Sequence, residues 1–248
     1  MNRIAPLHIH KTEPTVVPTG PTVVLLHGFT ASGEADFPHE RWAAVLAEAG
    51  RSALVVDLPG HGQSPALPDG GFSTSDALAA ITAAITENTR GPVDLVGYSL
   101  GARLAWDLAG RKLVDVSRVV LGGLSAQEPF GAVDTEAAKA HFAGGPPPED
   151  PLTAMMSQMM SAPGADSASL LSLVAGMGRD PFDPGATPPA VPTLLIAGQE
   201  DPMTEGLERV VAQLPEGTLE RVPGDHVAVL HGQELRRRTL QFLHIDLP

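Results

Sequence analysis

The chain lacks cysteine: none occurs among its 248 residues. Disulfide bonds and thiolate chemistry are therefore excluded, and an absence of disulfides is usual in the cytoplasm. Long apolar stretches are missing as well, because no uninterrupted run reaches bilayer-spanning length and residues 1–8 lack the apolar core of a signal peptide. We therefore expect a soluble, cytoplasmic protein that has no membrane partner.

Basic side chains are also few. Lysine and arginine total 16 against 29 aspartates and glutamates, which gives a formal net charge of −13 at pH 7. This charge disfavours nucleic acids and anionic membrane surfaces as partners and, to a lesser degree, polyanionic substrates. We expect a small-molecule substrate, and the sequence leaves the oligomeric state open.

Glycine and proline, by contrast, are plentiful and separate short periodic segments. Strand patterns occupy residues 21–26, 53–57, 93–98, 117–123, 191–198 and 218–222, and residues 7–17 predict an edge strand or hairpin. Helical patterns occupy residues 38–50, 75–88, 100–110, 135–142, 151–161, 167–177, 204–214 and 233–243. The alternation predicts an α/β fold: a mostly parallel central sheet with helices on both faces. Thr74 or Ser75 is expected to cap the helix at 75–88.

Residues 127–189 differ from the rest of the chain. They contain no convincing strand, and their three helical segments are joined by connectors rich in proline and glycine. A helical insertion on the side where parallel strands end would form a lid over the crevice in which such sheets bind ligands. We therefore predict a core of residues 1–126 and 190–248 and a small helical lid at residues 127–189.

Five of the seven methionines lie in this lid segment. Flexible methionine side chains either pack a small lid softly onto the core or form an adaptable apolar wall for an acyl chain or aromatic group. The two interpretations are compatible. On the second one, Met155 and Met159 are candidate substrate-binding residues.

The most informative stretch is Gly97-Tyr98-Ser99-Leu100-Gly101, which follows an apolar run and precedes a helical pattern. Strand, sharp turn and helix in this order place Ser99 at the apex of a turn so tight that only glycine fits at the flanking positions. The helix start also directs the backbone N–H of Leu100 toward any negative charge that develops beside the serine. Ser99 is therefore a candidate nucleophile rather than an ordinary helix cap.

A second turn, His27-Gly28-Phe29, follows the strand at residues 21–26. Glycine directly after a strand allows a sharp turn that exposes backbone N–H groups, so the N–H of Phe29 is a candidate oxyanion donor alongside that of Leu100. Asp57 and His61 look like a catalytic pair. Histidines and carboxylates in such loops more often brace the backbone, and we favour that interpretation for these two residues and for His27.

A serine hydroxyl attacks at neutral pH only if a base accepts its proton and a carboxylate orients that base. If parallel strands end at one edge of the sheet, Ser99, Asp201 and His226 lie on loops at that edge. Histidine suits the role of base because its pKa lies near physiological pH. Glu200 and Asp225, each adjacent to one of these residues, are rival carboxylates.

These motifs resemble the α/β-hydrolase superfamily along nearly the whole chain. The resemblance implies Ser99 as nucleophile, His226 as base, Asp201 as acid, Phe29 and Leu100 as oxyanion donors, and no metal or cofactor. The segments that carry it are His27-Gly28-Phe29, Asp57-Leu58-Pro59-Gly60-His61-Gly62-Gln63-Ser64, Gly97-Tyr98-Ser99-Leu100-Gly101, Gly198-Gln199-Glu200-Asp201 and Gly224-Asp225-His226.

Within the superfamily the chain is also similar to menaquinone-pathway lyases, in residues 56–62 and in the serine turn followed by Arg103. Those enzymes use the serine triad to eliminate pyruvate from a polyanionic substrate held by several arginines. Arg103 is the obvious match, and residues 127–178 contain no arginine. The expected function is therefore cleavage of a carboxylic ester, or a related acyl bond, of a small, largely apolar substrate through an acyl-enzyme on Ser99. A lyase and a non-catalytic receptor for a small ligand are the alternatives.

Overall fold

The computed structural model describes residues 5–127 and 129–246. The remaining positions, 1–4, 128 and 247–248, lie outside these ranges. Residues 1–4 belong to the segment without a signal-peptide core and to the predicted core, position 128 belongs to the predicted lid, and residues 247–248 end the predicted core. The strands of the described chain are β1 (Ile9–Thr12), β2 (Thr22–Leu26), β3 (Ala53–Val56), β4 (Val93–Tyr98), β5 (Val116–Gly122), β6 (Thr193–Gly198) and β7 (Gly217–Val222).

In the part of the chain that the structure describes, these strands form one sheet in the order β1-β3-β2-β4-β5-β6-β7. The edge strand β1 pairs with β3 in antiparallel fashion, and every other pair is parallel. The mostly parallel α/β sheet is therefore confirmed. Because β1 pairs with a strand about forty residues further along rather than with its sequence neighbour, the hairpin alternative for residues 7–17 is wrong.

The described helices are α1 (Gly33–Asp36), α2 (Ala43–Glu48), α3 (Thr74–Asn88), α4 (Leu100–Gly110), α5 (Thr135–Phe142), α6 (Pro151–Met160), α7 (Ser167–Met177), α8 (Leu207–Val211), α9 (His226–His231) and α10 (Gln233–Phe242). Three short 3₁₀ turns accompany them, at His39–Arg41, Phe130–Ala132 and Pro202–Thr204. None of the helices in the described ranges is long and apolar enough to cross a membrane.

Both faces of the sheet are covered. Successive side chains of a strand point to opposite faces, so Val24 and Leu26 join the hydrophobic cluster under α3 and α4, whereas Val23 and Leu25 join the cluster under α2 and α10. All four side chains are fully buried. The continuous aliphatic runs in the sequence reflect this covering on both sides.

The helix expected at residues 38–50 is shorter than predicted. A 3₁₀ turn at His39–Arg41 precedes α2, and Trp42 between them has a φ of −122°, outside the helical range. Trp42 is buried against Phe37, with ring centroids 5.2 Å apart, so packing of this indole overrides the local helical pattern.

The helix expected at residues 204–214 is also divided. Gly206 has a φ of +84°, a left-handed conformation that interrupts the helix and lets α8 begin at Leu207. The expected cap of α3 is wrong by one position: the Ser73 side chain accepts the hydrogen bond from the backbone N–H of Asp76 at 3.1 Å, so the helix begins at Thr74.

Residues 135–177 form α5, α6 and α7, as the helical patterns predict. Their buried side chains, among them Met156, Leu170 and Met177, belong to the same hydrophobic cluster as Leu26 of β2 and Leu100 of α4. These helices therefore share the hydrophobic core on the side of the sheet that α3 and α4 cover. The division of the chain into core and lid remains a prediction.

Candidate active site

Ser99 lies between β4 and α4 with φ 51° and ψ −112°, a conformation that non-glycine residues adopt at an energetic cost. The neighbouring glycines explain how the turn forms. A Cβ on Gly97 would lie 2.3 Å from the carbonyl oxygen of Gly101, and a Cβ on Gly101 would lie 2.0 Å from the carbonyl oxygen of Leu26. The packing of α4 against β2 and β4 therefore requires both glycines and presents Ser99 at the apex.

His226 and Asp201 meet at the carboxyl ends of β6 and β7. Nδ1 of His226 lies 2.7 Å from Oδ2 of Asp201, whose carboxyl group is buried. His226 is the first residue of α9, and Asp225 caps that helix by accepting from the backbone N–H groups of Val227 and Ala228. Because an ionised carboxylate only accepts hydrogen bonds, Nδ1 carries the proton, which leaves Nε2 free to accept one.

Ser99 and His226 line the same cavity. Among the described residues the Ser99 hydroxyl forms no hydrogen bond; the bond between a nucleophile and its base often tightens only when substrate binds. The ring of His226 lies 5.3 Å from that of Tyr98, measured between centroids. The three residues that the sequence predicts for the triad therefore converge on one rim, although only the histidine and the aspartate are directly bonded.

The turn at Gly28 and Phe29 borders this cavity too, beside Leu100. Both backbone groups of Gly28 are held by side chains: its N–H donates to Oδ2 of Asp36 at 2.7 Å, and its carbonyl accepts from Nδ1 of His27 at 2.7 Å. Leu100 is the first residue of α4, so its N–H has no acceptor within the helix. The structure thus places both predicted oxyanion donors beside Ser99.

The side chains of the other histidine and carboxylate candidates form hydrogen bonds with the backbone of the neighbouring loops. Nε2 of His27 accepts from the N–H of Leu58, and the Asp57 carboxylate accepts from the N–H groups of Gly33 and Gln63 at 2.7 and 2.9 Å. Burial lowers the pKa of His27 to about 3, which keeps its ring neutral. These contacts are those expected of residues that brace loops.

His61 and Glu200 show the same kind of contact. Nδ1 of His61 donates to the carbonyl of Pro59 at 2.9 Å, and burial lowers the pKa of this histidine to about 4. The carboxylate of Glu200 accepts from the N–H of Gly224 at 2.5 Å, so it supports the histidine turn from outside rather than contacting the imidazole.

Asp36 lines the cavity as well, and the sequence patterns did not single it out. It ends α1, a helix of four residues that is too short to show hydrophobic periodicity. A weaker signal is present: Ser32 followed by two acidic residues, Glu34 and Asp36, is typical of a helix start.

The cavity has a volume of about 630 Å³ and a predominantly apolar lining. Met155 and Met159 lie at its exposed side, with 51% and 38% of their surface accessible. Arg103 is buried at the wall, where it donates to the carbonyl of Asp180 at 2.7 Å and to the hydroxyl of Thr74 at 3.2 Å. Burial lowers the pKa of Arg103 to about 10, so it stays charged at neutral pH. Further apolar lining residues are Leu124, Phe130, Leu152, Met156, Phe182 and Leu230.

Within residues 5–127 and 129–246, no group of three or more histidines and carboxylates is placed to hold a metal ion.

In this mostly parallel sheet one strand leads through a strained serine into a helix, and a histidine that is hydrogen-bonded to a carboxylate lines the same cavity as the serine. This arrangement defines the class of α/β proteins built on a nucleophile elbow. Residues 23–238 match the family model described as "Alpha/beta hydrolase family". The chain therefore belongs to the α/β-hydrolase family.

Solved structures share this fold over nearly their whole length. The putative non-heme bromoperoxidase BpoC from Mycobacterium tuberculosis superposes with a TM-score of 0.74 at 21% identity, covering 98% of this chain and 97% of that one. MenH from S. aureus gives a TM-score of 0.74 at 18% identity, covering 96% and 98%. At these identities the likeness shows the fold alone.

A curated relative is more similar over a shorter stretch. The 2-succinyl-6-hydroxy-2,4-cyclohexadiene-1-carboxylate synthase of Salmonella agona is 37% identical over 107 residues, which are 43% of this chain and 39% of that protein. The match thus spans less than half of either protein.

Proposed function

We propose that the protein is a serine hydrolase that cleaves a carboxylic ester of a small, largely apolar substrate through an acyl-enzyme on Ser99. The observation that carries this proposal is the 2.7 Å contact between His226 and Asp201 on the rim of the cavity that Ser99 lines. An imidazole oriented in this way, with Nε2 free, is the base that a serine hydroxyl needs.

The proposed reaction begins when Nε2 of His226 takes the proton of the Ser99 hydroxyl as its oxygen attacks the substrate carbonyl. The buried Asp201 carboxylate stabilises the imidazolium that forms. The N–H groups of Phe29 and Leu100 receive the oxyanion, each contributing about 3 kcal/mol to lowering the barrier. The imidazolium then protonates the leaving alcohol, and water, activated by the same histidine, releases the acid and restores Ser99.

The lining of the cavity supports an apolar acyl group. A volume of about 630 Å³ walled by phenylalanine, leucine and methionine suits such a group, and we assign Met155 and Met159 to contact with it. In this proposal residues 127–189, which carry α5 to α7, form the lid over the bound substrate. Arg103 lies at the wall of the cavity, where it would contact a polar end of the substrate.

An elimination reaction is the second candidate, and the similarity to the curated synthase favours it. A lyase would use the same serine and histidine to remove a proton. Among the described residues that line the cavity, however, Arg103 is the only arginine or lysine, so a polyanionic substrate would meet a single cationic side chain there. This lining supports an apolar ester better than a polyanionic substrate.

The experiment that tests the proposal compares wild type with Ser99→Ala on p-nitrophenyl esters of increasing acyl length. Wild type should turn over the esters and react with a fluorophosphonate probe, and Ser99→Ala should do neither while keeping the far-UV circular dichroism of the wild type. Ser125→Ala is the matched control, because Ser125 lines the same cavity outside the triad.

Three results would contradict the proposal. Full ester turnover by Ser99→Ala would remove Ser99 from the chemistry. A wild-type protein that forms 2-succinyl-6-hydroxy-2,4-cyclohexadiene-1-carboxylate from its precursor but leaves every ester intact would establish the lyase. A wild-type protein that neither cleaves esters nor reacts with the probe, yet binds an apolar ligand, would establish a receptor.

A further inference from the structure

Asp36 is a buried carboxyl group at the wall of the cavity that the proposed triad does not use. It has 6% of its surface exposed, and it lines the cavity with Ser99 and His226. Its Oδ2 atom accepts from the backbone N–H of Gly28 at 2.7 Å. A carboxyl group is costly to bury, so its place here calls for a reason beyond the packing of α1.

The hydrogen bond from Gly28 to Asp36 fixes the peptide directly before the one that carries the oxyanion donor, the N–H of Phe29. The carbonyl of Gly28 and the N–H of Phe29 belong to one planar peptide unit, so fixing the first fixes the direction of the second. His27 holds the carbonyl of Gly28, and Asp36 holds its N–H. With both groups of Gly28 anchored, neither backbone dihedral of this residue is free to turn the Phe29 N–H away from the cavity.

The turn is also closely packed between Asp36 and the nucleophile. A Cβ on Gly28 would lie 3.3 Å from Oδ2 of Asp36 and 3.5 Å from Cβ of Ser99. A displacement of the turn toward the space left by a smaller side chain at position 36 would therefore increase the distance between the Phe29 N–H and the oxyanion formed at Ser99. Donors in an oxyanion hole act at about 2.7–3.1 Å from the position that the oxyanion occupies, so a small displacement weakens them.

We propose that Asp36 is a positioning residue of the oxyanion turn, which acts as a hydrogen-bond acceptor for Gly28 and thereby aims the N–H of Phe29 at the reacting carbonyl. The inference rests on the proposed serine hydrolase function. In this inference α1 positions the N–H of Phe29, and α4 positions the second oxyanion donor, the N–H of Leu100.

The role of hydrogen-bond acceptor does not depend on the charge of Asp36, because ionised and neutral carboxyl groups both accept. Burial raises the pKa of Asp36, against the lowering effects of the Gly28 N–H and of the nearby His231 and His226. A neutral carboxyl group still accepts the hydrogen bond through its carbonyl oxygen. It places no negative charge beside an oxyanion, which an ionised carboxylate would oppose.

Three variants test the inference. Asp36→Asn keeps an amide oxygen to accept from Gly28, Asp36→Ala removes the acceptor, and Glu34→Ala removes an exposed carboxylate of the same helix as the matched control. The readouts are kcat and KM for a p-nitrophenyl ester, and the rate at which a fluorophosphonate probe labels the enzyme. Counting the sites labelled at completion corrects kcat for any unfolded fraction.

We expect Asp36→Ala to lower kcat and the labelling rate roughly ten- to a hundredfold with KM changed less than about twofold, because the lost interaction is made in the transition state. Asp36→Asn should retain kcat within about threefold of wild type, and Glu34→Ala should match wild type.

Two outcomes would overturn the inference and leave the hydrolase function intact. One is an unchanged kcat in Asp36→Ala. The other is a loss of kcat in Asp36→Asn as large as that in Asp36→Ala, because equal losses would show that the charge of Asp36, not its acceptor oxygen, is required. A wild-type protein that is neither labelled nor active would instead overturn the hydrolase function, and this inference with it. If Asp36→Ala does not fold, Asp36→Leu, which keeps side-chain volume without an acceptor, replaces it with the same expected loss.

Discussion

The hydroxyl of Tyr98 donates a hydrogen bond to the backbone carbonyl of His226 at 2.5 Å. Tyr98 is the last residue of β4, directly before Ser99, and His226 is the first residue of α9. The two residues are 128 positions apart in the chain, and their bond ties the serine turn to the histidine turn. The Tyr98 side chain is buried, and burial raises its pKa, so the hydroxyl keeps the proton that it donates.

Replacing Tyr98 tests the contribution of this hydrogen bond. Tyr98→Phe keeps the ring and removes the donor, so we expect a loss of about 1–2 kcal/mol in the free energy of unfolding and a severalfold fall in kcat as His226 becomes less well oriented. Urea denaturation and ester kinetics measure the two effects. A variant with wild-type kcat would show that α9 positions His226 without help from Tyr98.

Asp201 and Glu200 are adjacent carboxylates, and mutation distinguishes their roles. Asp201→Asn should lower kcat by roughly three to four orders of magnitude, because an amide at this position no longer holds the imidazole with its proton on Nδ1. Glu200→Gln retains an oxygen that can accept from Gly224 and should stay within a few fold of wild type. Steady-state kinetics with one ester suffice, and equal losses in the two variants would refute the assignment of Asp201 as the acid.

The acyl-binding role that we propose for Met155 and Met159 predicts a dependence on acyl chain length. Replacing Met155 and Met159 together by serine should raise KM for a p-nitrophenyl octanoate roughly ten- to thirtyfold, since each apolar contact contributes on the order of 1 kcal/mol, and should leave KM for the acetate ester nearly unchanged. Leu113→Ser is the control, because Leu113 is an exposed apolar residue that does not line the cavity. An equal change in KM for both esters would place these methionines outside the acyl site.

The sequence predicts the sheet, the helices α3 to α7 and the place of Ser99 because each depends on local patterns that repeat at fixed spacing. The convergence of Ser99, Asp201 and His226 follows from one further rule, that the carboxyl ends of parallel strands share an edge. These parts of the site are therefore accessible before any coordinates are known.

Other features depend on contacts between distant segments, which local patterns do not encode. Trp42 interrupts the expected helix because its indole packs on Phe37, and Asp36 reaches Gly28 from a helix too short to be periodic. Arg103 turns toward the carbonyl of Asp180, 77 positions away, so its place at the cavity wall is set by a loop that the sequence shows only as a connector.

A buried ion pair joins Arg51, shortly before β3, to Asp94 in β4, with 4% and 0% of the side chains exposed. Arg51→Ala would leave the Asp94 carboxylate buried without its partner, which typically costs about 3–5 kcal/mol of stability. Arg237→Ala, which breaks the exposed pair with Glu234, should leave the urea midpoint nearly unchanged. Urea titrations at pH 7 compare the two variants, and equal midpoints would mean that the buried pair adds no net stability.

His61 makes stability depend on pH. Burial lowers the pKa of His61 from 6.5 to about 4 in the folded protein. Between pH 4 and pH 6.5, therefore, His61 is mostly protonated in the unfolded chain and mostly neutral in the folded protein. The free energy of unfolding should therefore be largest above pH 6.5 and fall as the pH drops toward 4. His61→Asn preserves a donor for the carbonyl of Pro59 and does not titrate, so its stability should fall less steeply, by up to about 1.4 kcal/mol per pH unit between pH 6 and 5. Urea denaturation at pH 7, 6 and 5, with the exposed His244→Asn as control, measures the difference. Parallel stability curves for His61→Asn and wild type would show that the neutral ring of His61 does not contribute to this dependence.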